Sequence, residues 1–120
     1  MNLDFSDDQK FLKEEARKFL EKEQTLSRNR SVLENNKKID QELWQKIIDL
    51  GWTGIRIPED YGGLGLGHLE LCVIAEELGR YLAPVPFSSS VYLFTEAIIN
   101  YANEDIKKDL LPKLVSGEVV

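Results

Sequence analysis

Arg56-Ile57-Pro58-Glu59-Asp60-Tyr61-Gly62-Gly63-Leu64-Gly65 interrupts an otherwise helical sequence, and its reading decides the fold. Pro58 disfavours helical geometry at Ile57 before it. The preceding Trp52-Thr53-Gly54-Ile55-Arg56-Ile57 is too short and too punctuated by glycine for a helix, so an extended segment is expected there. Glycines at positions 54, 62, 63, 65 and 67 allow positive φ and close backbone approach, as a long, tightly folded loop requires. Tyr61, Leu64 and Leu66 offer that loop apolar anchors, which predicts an ordered connection.

Helices are expected on both sides of it. Upstream, Ser6 and Gln9 have the spacing of a capping box, and Phe11, Leu12, Ala16, Phe19 and Leu20 recur at helical intervals, giving a helix from about Asp7 to Lys22. Glu23 to Lys38 is polar and mixed in charge, a mobile connection with room for a short helix. Asp40 is an N-cap for Leu43, Trp44, Ile47, Ile48 and Leu50, with Gly51 able to close that helix in a left-handed conformation. Downstream, the spacing predicts a helix from about His68 to Tyr81 buried between neighbours, with Leu69, Cys72 and Val73 on one side and Leu71, Ile74, Ala75, Leu78 and Leu82 on another. Glu76 precedes Arg80 in the favourable order for a helical ion pair.

Ala83-Pro84-Val85-Pro86-Phe87 breaks the run, and Ser88, Ser89 or Ser90 can restart it. The next helix places Val91, Phe94, Ala97, Ile98 and Tyr101 on one face and should be central. Asn103 caps the last helix, Glu104 and Asp105 suit its positive end, Lys107, Lys108 and Lys113 follow toward its negative end, and Pro112 should end or kink it. The outcome is all-α, with about five to six helices. Val115-Ser116-Gly117-Glu118-Val119-Val120 reads as a helix stop followed by the start of a β-branched strand without a partner. Residues 1–116 are therefore expected to form the helical domain, and 117–120 the entrance to a second domain of different class.

Composition narrows the function. With 120 residues and 42% hydrophobic side chains the chain suits one domain with a core but is short for a complete metabolic enzyme. A net charge of -6, with no basic cluster, repels phosphate backbones and anionic lipid, so neither nucleic acid nor membrane is an expected partner. The single cysteine, Cys72, cannot form an internal disulfide and reads as core filler, consistent with a cytoplasmic setting. The acidic beginning has no signal-peptide pattern.

No residue announces chemistry by itself. Gly62-Gly63-Leu64-Gly65-Leu66-Gly67 looks like a phosphate cradle, but if Gly63 and Gly65 opened the dinucleotide fingerprint the third glycine would fall on His68. His68 is the only histidine, which leaves a catalytic triad or histidine metal site without a second imidazole. The acidic neighbours Asp7 and Asp8, Glu14 and Glu15, and Glu76 and Glu77 diverge on a helix and read as solvated or capping charges. Trp44, Trp52 and Tyr61 are best used in packing.

In order, Gly51-Trp52, Ile57-Pro58-Glu59-Asp60-Tyr61-Gly62-Gly63-Leu64-Gly65, Glu76-Glu77-Leu78-Gly79, and Lys107-Lys108 to Gly117-Glu118 closely resemble the acyl-CoA dehydrogenase family. The opening Phe5-Ser6-Asp7-Asp8-Gln9 extends the similarity over nearly the whole chain. The resemblance implies an amino-terminal α-helical domain, an orthogonal bundle with a long ordered glycine-rich loop, followed by a β domain beginning near Val119-Val120 and a carboxy-terminal bundle. It also implies FAD, bound mainly outside this chain, and α,β-dehydrogenation of acyl-CoA thioesters, with the base beyond residue 120. This domain would supply one wall of the acyl pocket, where Phe87, Ser88, Ser89 and Tyr92 match by position the segment that lines the acyl tail in relatives. Electron-transfer flavoprotein or a similar acceptor and a homo- or hetero-oligomer are the implied partners. Ala83-Pro84-Val85-Pro86-Phe87 looks more like a bacterial branch that includes heteromeric assemblies. Two other readings share the fold: a noncatalytic subunit or stand-alone helical interaction module, and an oxygen-using relative such as an acyl-CoA oxidase or flavin monooxygenase.

Overall fold

The computed structural model describes residues 3–120, and their regular structure is helical with no strand, as expected of an all-α chain. They form two compact units. One contains the described part of Met1–Lys38 together with His68–Pro84, the other Ile39–Gly67 together with Val85–Val120.

In the first unit, α1 spans Asp7–Lys22 and opens on the expected capping box: the Ser6 hydroxyl accepts from the Gln9 N–H and the Gln9 side chain accepts from the Ser6 N–H. Gln24 turns left-handed, and the segment expected as a connection holds α2, Thr25–Glu34. That helix buries Thr25 and Val32, and the Thr25 hydroxyl donates to the Tyr81 carbonyl at 2.6 Å. Residues His68–Arg80 form α4, which packs on α1.

The two helices run parallel, because their polar partners advance together. Gln9 donates to Glu70 at 3.3 Å, Lys13 pairs with Glu76 at 3.2 Å, Arg17 with Glu77 at 3.0 Å, and the Tyr81 hydroxyl donates to Glu21 at 2.7 Å. On α1 these positions recur every fourth residue and so share one stripe. The ladder corrects two expectations. Glu76 meets Lys13 across the helices rather than Arg80 on its own. Glu77, expected on a solvated face, is fully buried and held by both arms of the Arg17 guanidinium. A third correction concerns Cys72, which is exposed, as is Leu69 at 58%. Helical geometry groups both with Glu76, and the buried face is instead Leu71, Val73, Ile74, Glu77 and Leu78.

In the second unit, α3 spans Gln41–Asp49, capped by Asp40, whose carboxylate accepts from the Leu43 N–H at 2.9 Å. Leu43, Trp44 and Ile47 are its buried stripe, and Gly51 closes it at a φ of 82°. Asp40→Ala is expected to cost about 1 kcal/mol, the worth of a lost N-cap, measured by urea unfolding.

The segment expected to be extended, Trp52 to Ile57, opens instead on a 3₁₀ turn at Trp52–Gly54, and a second follows in the loop at Glu59–Tyr61. An extended chain would send alternate side chains to opposite faces. The turns bury Trp52, Ile55 and Ile57, while the Thr53 hydroxyl donates to the Val115 carbonyl at 2.8 Å. The loop then doubles back: Leu64, Gly65 and Leu66 donate to the carbonyls of Gly54, Ile57 and Ile55, each at 2.9 Å. This return brings Gly63 so close to Ile57 that a Cβ would overlap the Ile57 carbonyl. The order expected from the apolar anchors Tyr61, Leu64 and Leu66 comes instead from that backbone ladder, with Leu64 itself exposed.

After Pro86 the chain enters a π-helical turn, Ser88–Phe94, continuous with α5, Thr95–Tyr101. α6 spans Glu104–Ser116, with the Asn103 side chain accepting from the Ile106 N–H at 3.0 Å. Pro112 does not end it, since the proline itself is exposed while Leu111 and Leu114 are anchored in the core. Those two join Ile57 and Ile98 in a buried cluster, with Tyr61, Ile99 and Val119 packed around it. The helix stop expected at the start of residues 117–120 is present at Gly117. Gly117 is left-handed with its N–H on the Leu114 carbonyl at 3.3 Å, and the Val119 N–H returns to the Lys113 carbonyl, also at 3.3 Å.

Candidate functional site

All four residues assigned to the site by sequence lie at the wide turn after Pro86. An α-helix brings residues three and four apart into contact, whereas a π turn brings together residues five apart. Two such pairs are present. The rings of Phe87 and Tyr92 meet edge to face, with centroids 5.4 Å apart and planes at 79°. Thr95 sends both its backbone N–H and its hydroxyl to the Ser90 carbonyl, the hydroxyl at 2.7 Å.

Phe87 faces inward and is buried, Tyr92 is half-buried, and Ser88 and Ser89 are exposed, with the Ser89 hydroxyl donating to the Pro86 carbonyl at 3.3 Å. Phe87 thus backs the segment rather than lining its open side. The helical face expected to be central is also rotated. Ser90, Val91, Thr95 and Ile98 are buried, while Ala97 is exposed together with Leu93 at 71% and Tyr101 at 89%, and Phe94 is partly open. Position by position, Ser89, Leu93, Ala97 and Tyr101 form an exposed, largely apolar stripe.

Arg56 ties the glycine-rich loop to this helix. Its guanidinium donates to Glu96 on α5 at 2.7 Å and to the Leu66 carbonyl at 3.0 Å, with both charged side chains largely withdrawn from water. At the loop's other end the Tyr61 hydroxyl donates to Glu104 on α6 at 2.7 Å. That hydrogen bond, followed by slight desolvation and the nearby carboxylates, holds the Tyr61 phenol above its ordinary pKa, as a proton donor rather than a base. The loop shapes and braces; sequence reasoning missed these two clamps because each partner lies forty or so residues away.

The loop does not fit the phosphates of a flavin dinucleotide. Such a cradle needs free backbone N–H groups, yet those of Gly62, Gly63, Leu64, Gly65 and Leu66 all donate to the loop's own backbone carbonyls. His68 is exposed, and no metal-ligating group of His, Cys, Asp or Glu occurs among the described residues. No described helix is long and apolar enough to cross a membrane.

Residues 6–118 match the family model for the acyl-CoA dehydrogenase N-terminal domain. Mitochondrial isovaleryl-CoA dehydrogenase of Bos taurus is 34% identical over 117 residues, 96% of this chain and 28% of that protein. The NADH-dependent acryloyl-CoA reductase of Anaerotignum propionicum is 30% identical over 118 residues, 98% of this chain and 29% of its own. Among solved structures, a chain in that of the electron transferring flavoprotein of Acidaminococcus fermentans superposes with a TM-score of 0.80 at 29% identity, covering 100% of this chain and 32% of that one. The Tcur3481-Tcur3483 steroid ACAD gives 0.77 at 27% identity, over 100% and 32%. The chain thus spans a little under a third of the curated relatives it matches. A helical domain with this loop, these caps and a match from residue 6 to residue 118 belongs to the acyl-CoA dehydrogenase family, as its N-terminal domain.

Proposed function

We propose that the full-length protein is an FAD-dependent dehydrogenase that removes two hydrogens across the Cα–Cβ bond of an acyl-CoA thioester, and that this domain contributes a wall of the acyl pocket. The carrying observation is the family match over residues 6–118. The thioester acidifies the α-carbon, and a preorganised, water-poor site stabilises the enolate-like charge while flavin accepts hydride. Flavin and base belong to other parts of the protein. Here the chain's own task is to exclude water and orient the acyl tail. Exposed Ser88 and Ser89 and half-buried Tyr92, backed by Phe87, form the proposed lining.

An electron-transferring flavoprotein or similar acceptor suits the reoxidation step, and the exposed stripe from Leu93 to Tyr101 suits packing against further domains or subunits. Fatty acid metabolism and a cytoplasmic setting complete the reading. The test is the flavin spectrum of the full-length protein with acyl-CoA under exclusion of oxygen. Bleaching of the flavin is expected. A flavin that stays oxidised with short, long and branched acyl-CoA contradicts the proposal and indicates a noncatalytic subunit. Bleaching followed by rapid recovery in air with peroxide release would identify an oxygen-using relative instead.

A further inference from the structure

We propose that Thr95 is a positioning residue for acyl-chain selectivity, acting by holding the π turn that aims Ser88, Ser89 and Tyr92; this rests on the reading of that segment as a pocket wall. A π turn in a helix otherwise built on the 3.6 repeat is less favourable than the α-helix it replaces, and it persists where something holds it. Here the holding group is visible. Thr95 is fully buried, and its hydroxyl and N–H both converge on the carbonyl of Ser90, which is buried as well.

Phe87 and Tyr92 depend on the same turn, because only spacing by five sets their rings edge to face. Were the turn to relax to an α-helix, the Phe87 ring would lose Tyr92, and every residue on one side of the turn would rotate by about a residue's angle, roughly 100°. Ser88 and Ser89 would then exchange places with neighbours of different size. Thr95 itself lies inside the unit and offers no exposed atom to a substrate. It acts through the residues it positions, which is why conventional pocket-lining arguments pass over it.

The experiment uses the flavin-loaded full-length protein and compares kcat/KM for butanoyl-, octanoyl- and hexadecanoyl-CoA among the native form, Thr95→Ser and Thr95→Val. Serine keeps the hydroxyl and should keep the native ratio among the three substrates. Valine keeps the shape but loses the hydroxyl's bond. It should shift the ratio between preferred and disfavoured chain by about tenfold, roughly the discrimination carried by a methylene in a fitted pocket. The shift should appear in KM, with kcat for the preferred substrate nearly held. Deleting Leu93, which removes a residue of the turn outside the proposed lining, is the second variant and should shift the ratio even if the valine variant loses its flavin. Native ratios in a folded Thr95→Val protein, or in the deletion where the valine variant loses its flavin, overturn the inference. Native protein that dehydrogenates neither these three nor a branched acyl-CoA overturns the pocket reading itself, and the selectivity role falls with it.

Discussion

Gly63→Ala is expected to be the most damaging single-methyl substitution in the loop, lowering stability by about 4 kcal/mol, at the upper end of point-mutation effects. The added Cβ would meet the carbonyl oxygen and carbon of Ile57, which are backbone atoms and cannot swing aside. Ile57 is fully buried beside Ile98, Leu111 and Leu114, so moving its peptide also disturbs the core beneath the loop. Opening the loop would in addition strain the 2.9 Å bonds from Leu64, Gly65 and Leu66 that hold it closed. Gly79→Ala is the matching control. Gly79 lies within α4, and a Cβ there meets nothing within 4 Å. It should raise stability by about 0.5–1 kcal/mol by removing glycine's backbone freedom. Calorimetric melting of the two variants decides the matter, and a Gly63→Ala protein with the native Tm would refute the close-approach argument.

Arg17→Ala should be the most damaging substitution of a charged residue on α1. Its guanidinium is the partner of Glu77, whose side chain is 0% exposed. Removing the arginine leaves a carboxylate buried without its counter-ion, a loss of about 3–5 kcal/mol for fully enclosed pairs. Arg17 remains 39% exposed, and water entering at its position should hold the loss to about 2–3 kcal/mol. The Arg17→Met, Glu77→Leu double variant removes both charges and should lie within about 1 kcal/mol of the native protein, since apolar replacement of a buried pair is often neutral. Thermal melts of the single and double variants test this. A double variant no more stable than Arg17→Ala would show that the pair contributes by something other than charge compensation.

The parts of the fold legible in the sequence are those decided within one helical turn. Ser6 with Gln9, Asp40 with Leu43, and Asn103 with Ile106 each complete a cap over three residues, so spacing alone located all three helix starts. Gly51 likewise closed its helix as spacing implied. What spacing could not show was decided by partners far along the chain. Glu77 looked like one of two adjacent surface acids until Arg17, sixty residues away, met it. The extended reading of Trp52 to Ile57 failed because the Val115 carbonyl captures Thr53 and the core takes Ile55 and Ile57. At the candidate site, sequence placed Phe87, Ser88, Ser89 and Tyr92 in one segment but assumed the ordinary helical repeat. The π turn broke that assumption, and the buried face is centred on Val91, Thr95 and Ile98, with Phe94, Ala97 and Tyr101 outside it. Serine or threonine five residues after a serine is too common a pattern to have announced it.

The central claim is that the segment after Pro86 touches the acyl tail. It is tested most directly by loading the full-length flavoprotein with a fatty acyl-CoA carrying a diazirine at the end of its tail, photolysing it, and locating the label by peptide mass spectrometry. The account predicts label on the peptide containing Ser88, Ser89 and Tyr92, competed away by unmodified acyl-CoA. Competable label confined to other parts of the protein, with none between Phe87 and Tyr92, would contradict it.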